Sequence, residues 1–398
     1  VNDLLRSGAE EAMPFGSEGP EAGVGLALSG GGFRAALFHA GVLWRLAEMG
    51  KLSGLARISS VSGGSITAAL LGLRWERLRA RGFSAAALEE EVIRPLRAFC
   101  ARTMDVPAVL SGALLPFTSI AGRVEAAYAD RRLLGQATLQ DLPEAPRFVL
   151  NATNLATGVG FRFSRPYAGD YRIGLLPRPA FRLARAVAAS SAFPPILSPV
   201  VLETDPGAFQ RTPGADLWEE ERLRRRILLT DGGVYDNLGL ETVWKRHTTV
   251  IASDAGEPLS HAWSEGRDWL RQGLRVISVL QRQALALRRG ELVARFRTGA
   301  LEGAYLGIGT PMRPGAPPGA LPVPPEVTER LSRIRTRLDA FSGAERCALL
   351  NWGYARCDAS VRTYLWKDAA PPAGWPCPEH PLDRGLGREV RVEGEAAR

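Results

Sequence analysis

Three short segments carry residue types that together could perform acyl transfer. The first is Arg57-Ile58-Ser59-Ser60-Val61-Ser62-Gly63-Gly64-Ser65, which holds four serines, two adjacent glycines and no charge after Arg57. A strand that turns sharply into a helix strains the residue at the turn and projects its side chain, and bulky neighbours would clash there. Ser60-Val61-Ser62-Gly63-Gly64 has the G-x-S-x-G form of such an elbow, with Ser60 in the first glycine's place. Ser62 then sits at the tip, at the positive end of the following helix, where an alkoxide or a developing oxyanion is stabilised. Ser65, the alternative nucleophile, falls inside that helix.

The second segment, Ser29-Gly30-Gly31-Gly32-Phe33-Arg34, also joins an apolar run to a helical pattern. Consecutive glycines let backbone N–H groups converge on one point and form an anion hole. A dinucleotide fingerprint fits the spacing formally, but no Asp or Glu closes the next strand at Ser59-Ser60. A phosphate-binding loop would need Gly-Lys-Ser/Thr, and no lysine is present there.

A serine nucleophile needs a base. The four histidines, His39, His247, His261 and His380, do not lie in evident catalytic turns. Asp231 does occupy such a place: Thr230-Asp231-Gly232-Gly233 follows the apolar run Ile227–Leu229, putting a carboxylate where a strand gives way to a loop. Asp-Gly-Gly alone is also a common turn.

These segments need elements to position them. Val24–Leu28 reads as a buried strand, followed by a helix from Arg34 to about Met49. A second strand ends near Ser59-Ser60, and a second helix runs from Ile66 to about Arg81. Further strands are expected at Arg147–Asn151, Ile227–Leu229 and Thr249–Ser253. This alternation predicts an α/β domain with a mainly parallel central sheet. Residues 204–222 read as a polar insertion and 311–325 as a Pro/Gly-rich loop. From Trp263 to Arg297 runs an arginine-rich helical region carrying Trp269, Leu270, Leu274, Ile277, Leu280, Leu285 and Leu287. It suits either a helix packed on the core with a solvated arginine face or a helix lying on a membrane surface.

The chain has 398 residues, 45% of them hydrophobic, enough for a sizeable core. The formal charge of +8 comes almost wholly from arginine, since Lys51, Lys245 and Lys367 are the only lysines. That bias reads as a coding preference, so no nucleic-acid partner is expected, although a basic excess favours anionic lipid surfaces. No secretory signal or apolar run long enough to span a bilayer is visible, so a cytoplasmic or peripheral-membrane location is expected. Cys347, Cys357, Cys377 and His380 could be drawn as a zinc site, but their spacings match no metal-binding pattern. With Cys100, these cysteines are expected to be buried thiols without a metal.

Four ordered blocks over residues 23–256 resemble the patatin-like phospholipase family: "LALSGGGFRAALFHAGVL", "SVSGGS", "ARAVAASSAFPPIL" and "TDGGVYDNLG". "NATNLATG" fits the family's mid-chain strand and turn. The resemblance implies a three-layer α/β fold and a serine–aspartate dyad that works without histidine. Carried onto this chain, Ser62 is the nucleophile and Asp231 the base. Gly30, Gly31 and Gly32 form the oxyanion hole, with Arg34 at the family's basic position. The chain departs from the family pattern at Ser60 and at Ala35, which replaces a frequent glycine. The implied activity is hydrolysis of fatty-acyl esters of phospholipids or related lipids at a membrane surface, with no metal or organic cofactor. Two rival readings are an α/β-hydrolase esterase with a triad completed by His247 or His261, and a catalytically silent interaction module. The expected organisation is a flexible lead-in at 1–22, a catalytic core at 23–256, a C-terminal helical extension packed on or capping the core at 257–369, and a loosely packed Pro-rich, charged tail at 370–398.

Overall fold

The computed structural model describes residues 20–104, 120–194, 197–256, 269–387 and 389–392. The expected lead-in at 1–22 therefore lies almost wholly outside the described residues, as do His261 and Trp263.

The sheet is built around strand β1 (Glu21–Leu28), whose final four residues are all buried. Helix α1 (Gly32–Glu48) returns the chain to β2 (Leu55–Val61), and α2 (Gly63–Ala80) follows. β1 pairs in parallel with β2 on one side and with β9 (His247–Asp254) on the other. β2 pairs in parallel with β3 (Arg147–Asn154). The short strands β4 (Gly160–Phe163), β5 (Tyr167–Asp170) and β6 (Gly174–Pro177) extend the sheet beyond β3 as an antiparallel meander. β7 (Val200–Glu203) and β8 (Arg226–Asp231) form an antiparallel pair, and β8 adds to β3. The architecture is α/β with a central parallel sheet, and the meander β3–β6 is antiparallel because its connections are too short for a helical crossover.

Side-chain alternation along the central strands separates two cores. Leu26 and Leu28 face a large core with Phe38, Ile66 and Leu70, while Ala27 faces a smaller one with Val243, Trp244 and Leu292. Successive strand residues point to opposite faces, so helices on both sides give three layers.

The sheet does not stop at residue 256. β10 (Glu302–Gly307) pairs in parallel with β9, so the expected core boundary falls inside the sheet. Between them runs α3 (Trp269–Thr298), and near the C-terminus α4 (Gly343–Tyr364) packs on α1. The two helices touch backbone to backbone: a Cβ on Gly353 would lie 1.9 Å from the Phe38 carbonyl oxygen, and one on Gly41 2.0 Å from that of Leu350. Arg45 and Asp358 seal the contact with a buried ion pair at 2.8 Å.

The final segment also departs from expectation. Cys377, Leu382 and Val390 are buried in the large core, so the described residues 375–387 and 389–392 form a packed strap rather than a loose tail. Widely spaced single apolar anchors, without periodicity, hide such packing from a pattern reading. All four cysteines are buried free thiols.

Candidate active site

The register of β3 brings two distant segments together. β2 runs beside β3 until Val61 pairs with Asn151. β8 takes over at the next position, where Asp231 pairs with Ala152. Ser62 leaves β2 just as Asp231 arrives at the end of β8, which sets the serine side chain beside the carboxylate.

Ser62 has φ 49° and ψ −119°, a conformation few non-glycine residues adopt. What holds it there is a polar cluster beneath the turn. The Ser190 hydroxyl accepts the Ser62 amide at 3.0 Å and donates to the Asn151 carbonyl at 2.6 Å. Ser65, fully buried, joins Ser190 at 2.8 Å and donates to Ser60 at 3.0 Å. Ser59 bonds the Gly239 carbonyl at 2.7 Å and accepts from Asn151 and Thr242. The serines of this segment are thus largely internal donors and acceptors, while Ser62 alone among them is half-buried at the turn.

Asp231 is buried, and that burial raises its carboxyl to about 6 from the usual 3.8. The Gly233 amide, donating to Oδ1 at 2.7 Å, and the Ser62 side chain pull against the shift without cancelling it. Thr153 donates to the Asp231 carbonyl at 2.8 Å and the Asp231 amide donates to the Ala192 carbonyl at 2.9 Å, so the backbone carrying the carboxylate is fixed. Asp236, in the same loop, faces elsewhere: its carboxylate accepts the Leu238 and Glu241 amides and pairs with Arg288.

The glycine run lies directly against the elbow. A Cβ on Gly63 would stand 1.9 Å from the Gly32 carbonyl oxygen and 2.9 Å from the Gly32 nitrogen, so only glycine allows this approach. A Cβ on Gly30 would stand 3.2 Å from that of Ser62. The Gly30 amide, however, donates to the Asn237 carbonyl at 3.0 Å. The amides of Gly31, Gly32 and Gly63 donate to no acceptor among the described residues. The Arg34 side chain turns away from Ser62. Its fully buried guanidinium donates to the Ser332, Ile334 and Ala255 carbonyls at 2.8, 2.7 and 2.7 Å. It fastens the C-terminal part to the start of α1, a role that a helix-start arginine in sequence does not reveal.

Among the described residues, neither His39 nor His247 has a hydrogen bond to Ser62 or Asp231. His247 opens β9, about 23 Å of strand from its end near Ser29. Its ring contacts the Glu21 carbonyl and Arg57. His39 is sealed in the core between the Ser253 hydroxyl, at 2.7 Å, and the Ser29 carbonyl, at 2.9 Å, and burial lowers its pKa to about 4.

Two residues of the site escaped the sequence reading. Ser190 lies in the quoted small-residue block, but nothing marks it from its neighbour Ser191. Asn237 closes the Asp231 loop, its Oδ1 2.4 Å from a Cβ position on Gly30 and 2.6 Å from one on Gly233. Its place within the quoted "TDGGVYDNLG" was the available signal.

Above this loop lies α3. Leu285 approaches Gly256, and Arg288 reaches the Tyr235 carbonyl and Asp236. The opposite face exposes Val276, Val279, Leu280 and Leu287, the last at 67%. The side chains of Trp269, Leu270 and Leu274 lie outside the described residues. Among the described residues no helix is long and apolar enough to cross a membrane.

Residues 26–244, more than half of the chain, match the model of the patatin-like phospholipase family. The chain belongs to that family. Among solved structures it is similar to human GIVD cytosolic phospholipase A2, at 14% identity and a TM-score of 0.43, over 91% of this chain and 64% of that one. It is also similar to VipD from Legionella pneumophila, at 13% identity and a TM-score of 0.32, over 85% of this chain and 66% of that one. The chain thus spans a little under two thirds of the human enzyme's length. No curated protein matches the sequence.

Proposed function

We propose that the protein hydrolyses fatty-acyl esters of lipids through a Ser62–Asp231 dyad and an acyl-enzyme. The observation that carries this reading is the placement of Ser62, at a strained strand–helix turn, beside a buried carboxylate with a raised pKa. A base is most useful when its pKa approaches the working pH, and a value of about 6 brings an aspartate close to histidine in strength.

In this mechanism Asp231 accepts the Ser62 proton as Oγ attacks the ester carbonyl. The tetrahedral oxyanion is held by the Gly31, Gly32 and Gly63 amides, with the α2 N-terminus adding a favourable field. Gly30 shapes the hole while its own amide holds the Asn237 loop, and Arg34 braces the hole from behind. Protonated Asp231 then passes its proton to the leaving alkoxide, and the lysolipid or alcohol departs. A water attacks the acyl-enzyme, its proton going to Asp231, and the proton returns to Ser62 as the fatty acid leaves.

A lipid hydrolase must also reach aggregated substrate. The exposed Val276, Val279, Leu280 and Leu287 stripe, on a helix rich in arginine and next to the Asp231 loop, suits shallow insertion into an anionic surface. The test of the function is product analysis by mass spectrometry after incubation with mixed lipid vesicles. Free fatty acid with lysolipid is the expected result. Unchanged lipids, with no labelling of Ser62 by a fluorophosphonate, would leave the silent-module reading in its place.

A further inference from the structure

We propose that Cys347, Cys377 and Glu379 form a binding site for a thiophilic divalent metal ion, zinc being the natural occupant. One ligand atom from each of the three lies within 4.8 Å of the other two. Sequence spacing gives no sign of this cluster, because the structure brings Glu379 rather than Cys357 beside Cys347 and Cys377. Cys357 sits apart, buried beside Arg45 and Asp358, and Glu379 takes its place in the cluster.

The donor set matches zinc chemistry, in which thiolates and a carboxylate combine around a tetrahedral ion. Cys347 projects from α4, whereas Cys377 and Glu379 come from the strap. A separate side chain holds the strap in place. Asn351, fully buried one turn further along α4, accepts the Cys377 amide at 2.9 Å and donates to the Cys377 and His380 carbonyls at 3.0 and 2.9 Å. The loop carrying two of the three ligands is therefore preorganised without a metal, as a built site requires.

Charge also balances. Two thiolates and a carboxylate around a divalent ion leave a net charge of −1. Arg97 supplies the opposite charge, its guanidinium 2.9 Å from Cys347 Sγ. An N–H group directed at a metal-bound thiolate is a common outer-sphere contact. The two sulfurs are buried while Glu379 is exposed, so the fourth position faces solvent on the Glu379 side and the ion has a route in. Bound there, the metal would tie the strap to the helix that packs on α1. This inference does not depend on the proposed catalytic mechanism.

The experiment uses the full chain, reduced and freed of metal under anaerobic conditions. Zinc is titrated against a chromophoric chelator, and cobalt is added separately as a spectroscopic probe. The native chain is expected to bind one ion and to show the intense thiolate-to-cobalt absorption. Cys377→Ser should lose that absorption and stoichiometric binding, Glu379→Gln should weaken binding, and Cys357→Ser should bind as the native chain does. Zinc should raise the thermal midpoint of the native chain and of Cys357→Ser but not of Cys377→Ser. The proposal is overturned if the reduced native chain fails to compete with the chelator, or if Cys377→Ser retains the ion with an unchanged cobalt spectrum.

Discussion

The Ser190 hydroxyl oxygen lies 3.0 Å from the Ser62 amide nitrogen, so Ser62 is held at the elbow by a side chain from another element. The same hydroxyl meets Ser65 at 2.8 Å, which makes Ser190 the hub of the turn. Removing it leaves the part-buried Ser62 amide without its acceptor, at a cost of about 1–3 kcal/mol at most. Ser190→Ala should therefore lower both thermal stability and the rate of fluorophosphonate labelling. Ser62→Ala should abolish labelling and hydrolysis, and Ser65→Ala should still label. Intact-mass spectrometry after probe treatment separates these outcomes. Labelling that survives in Ser62→Ala would place the nucleophile elsewhere.

Asp231→Asn should lower turnover by about a hundredfold or more, the lower end of what loss of a general base costs. Asp236→Asn, whose carboxylate serves the loop backbone and Arg288, should cost far less. The native enzyme should lose kcat/KM as pH falls through about 6, as Asp231 becomes protonated. A pH–rate profile with circular dichroism at each pH checks this directly.

The same shift has a consequence for stability. Burial raises the folded-state pKa of Asp231 from 3.8 to about 6, so between those values the native state holds a proton that the unfolded chain releases. Stability from this group is therefore present below about pH 4 and is lost as pH rises through 6. Asp231→Asn carries no charge to bury. It should be more stable than the native chain at pH 8, by roughly 2–3 kcal/mol at most, and equal to it near pH 4. Denaturant melts at the two pH values give the comparison.

His247→Ala should leave activity within a few-fold, because its ring lies at the opposite end of β9 from the dyad. His261→Ala should do the same if the dyad is complete. A dead histidine variant beside an active Asp231→Asn would replace the dyad with a triad. His39→Ala removes a buried bridge from α1 to β9 and to Ser29 just beyond β1, so it should reduce stability first and activity only with it.

Leu280→Glu with Leu287→Glu places two carboxylates on the exposed face of α3. Flotation with anionic vesicles should show reduced binding, and native binding should weaken as salt rises, because exposed charges are screened. Activity on a short soluble ester should stay near the native value, since both side chains point away from the Asp231 loop. Equal loss on soluble and vesicle substrates would mean that the face supports the fold rather than the membrane contact.

The chain's own residues made much of this legible in advance. Small residues around Ser62, consecutive glycines before α1 and a carboxylate followed by Gly232-Gly233 are local requirements of a strained turn and a close backbone approach, so they leave a local trace. The strand–helix alternation likewise marked β1, α1, β2, α2 and β3. The meander β4–β6, the addition of β10 and the packing of the strap left no such trace, because short strands and isolated apolar anchors have too little periodicity. Tertiary structure alone decided the pairings. The handover from β2 to β8 along β3 puts Asp231 beside Ser62, and the C-terminal carbonyls draw Arg34 away from the turn. The same kind of long-range placement joins Cys347 to Cys377 and Glu379 and leaves Cys357 apart. Each is a choice among non-local partners, made by backbone register and helix packing, and no spacing within a single segment encodes it.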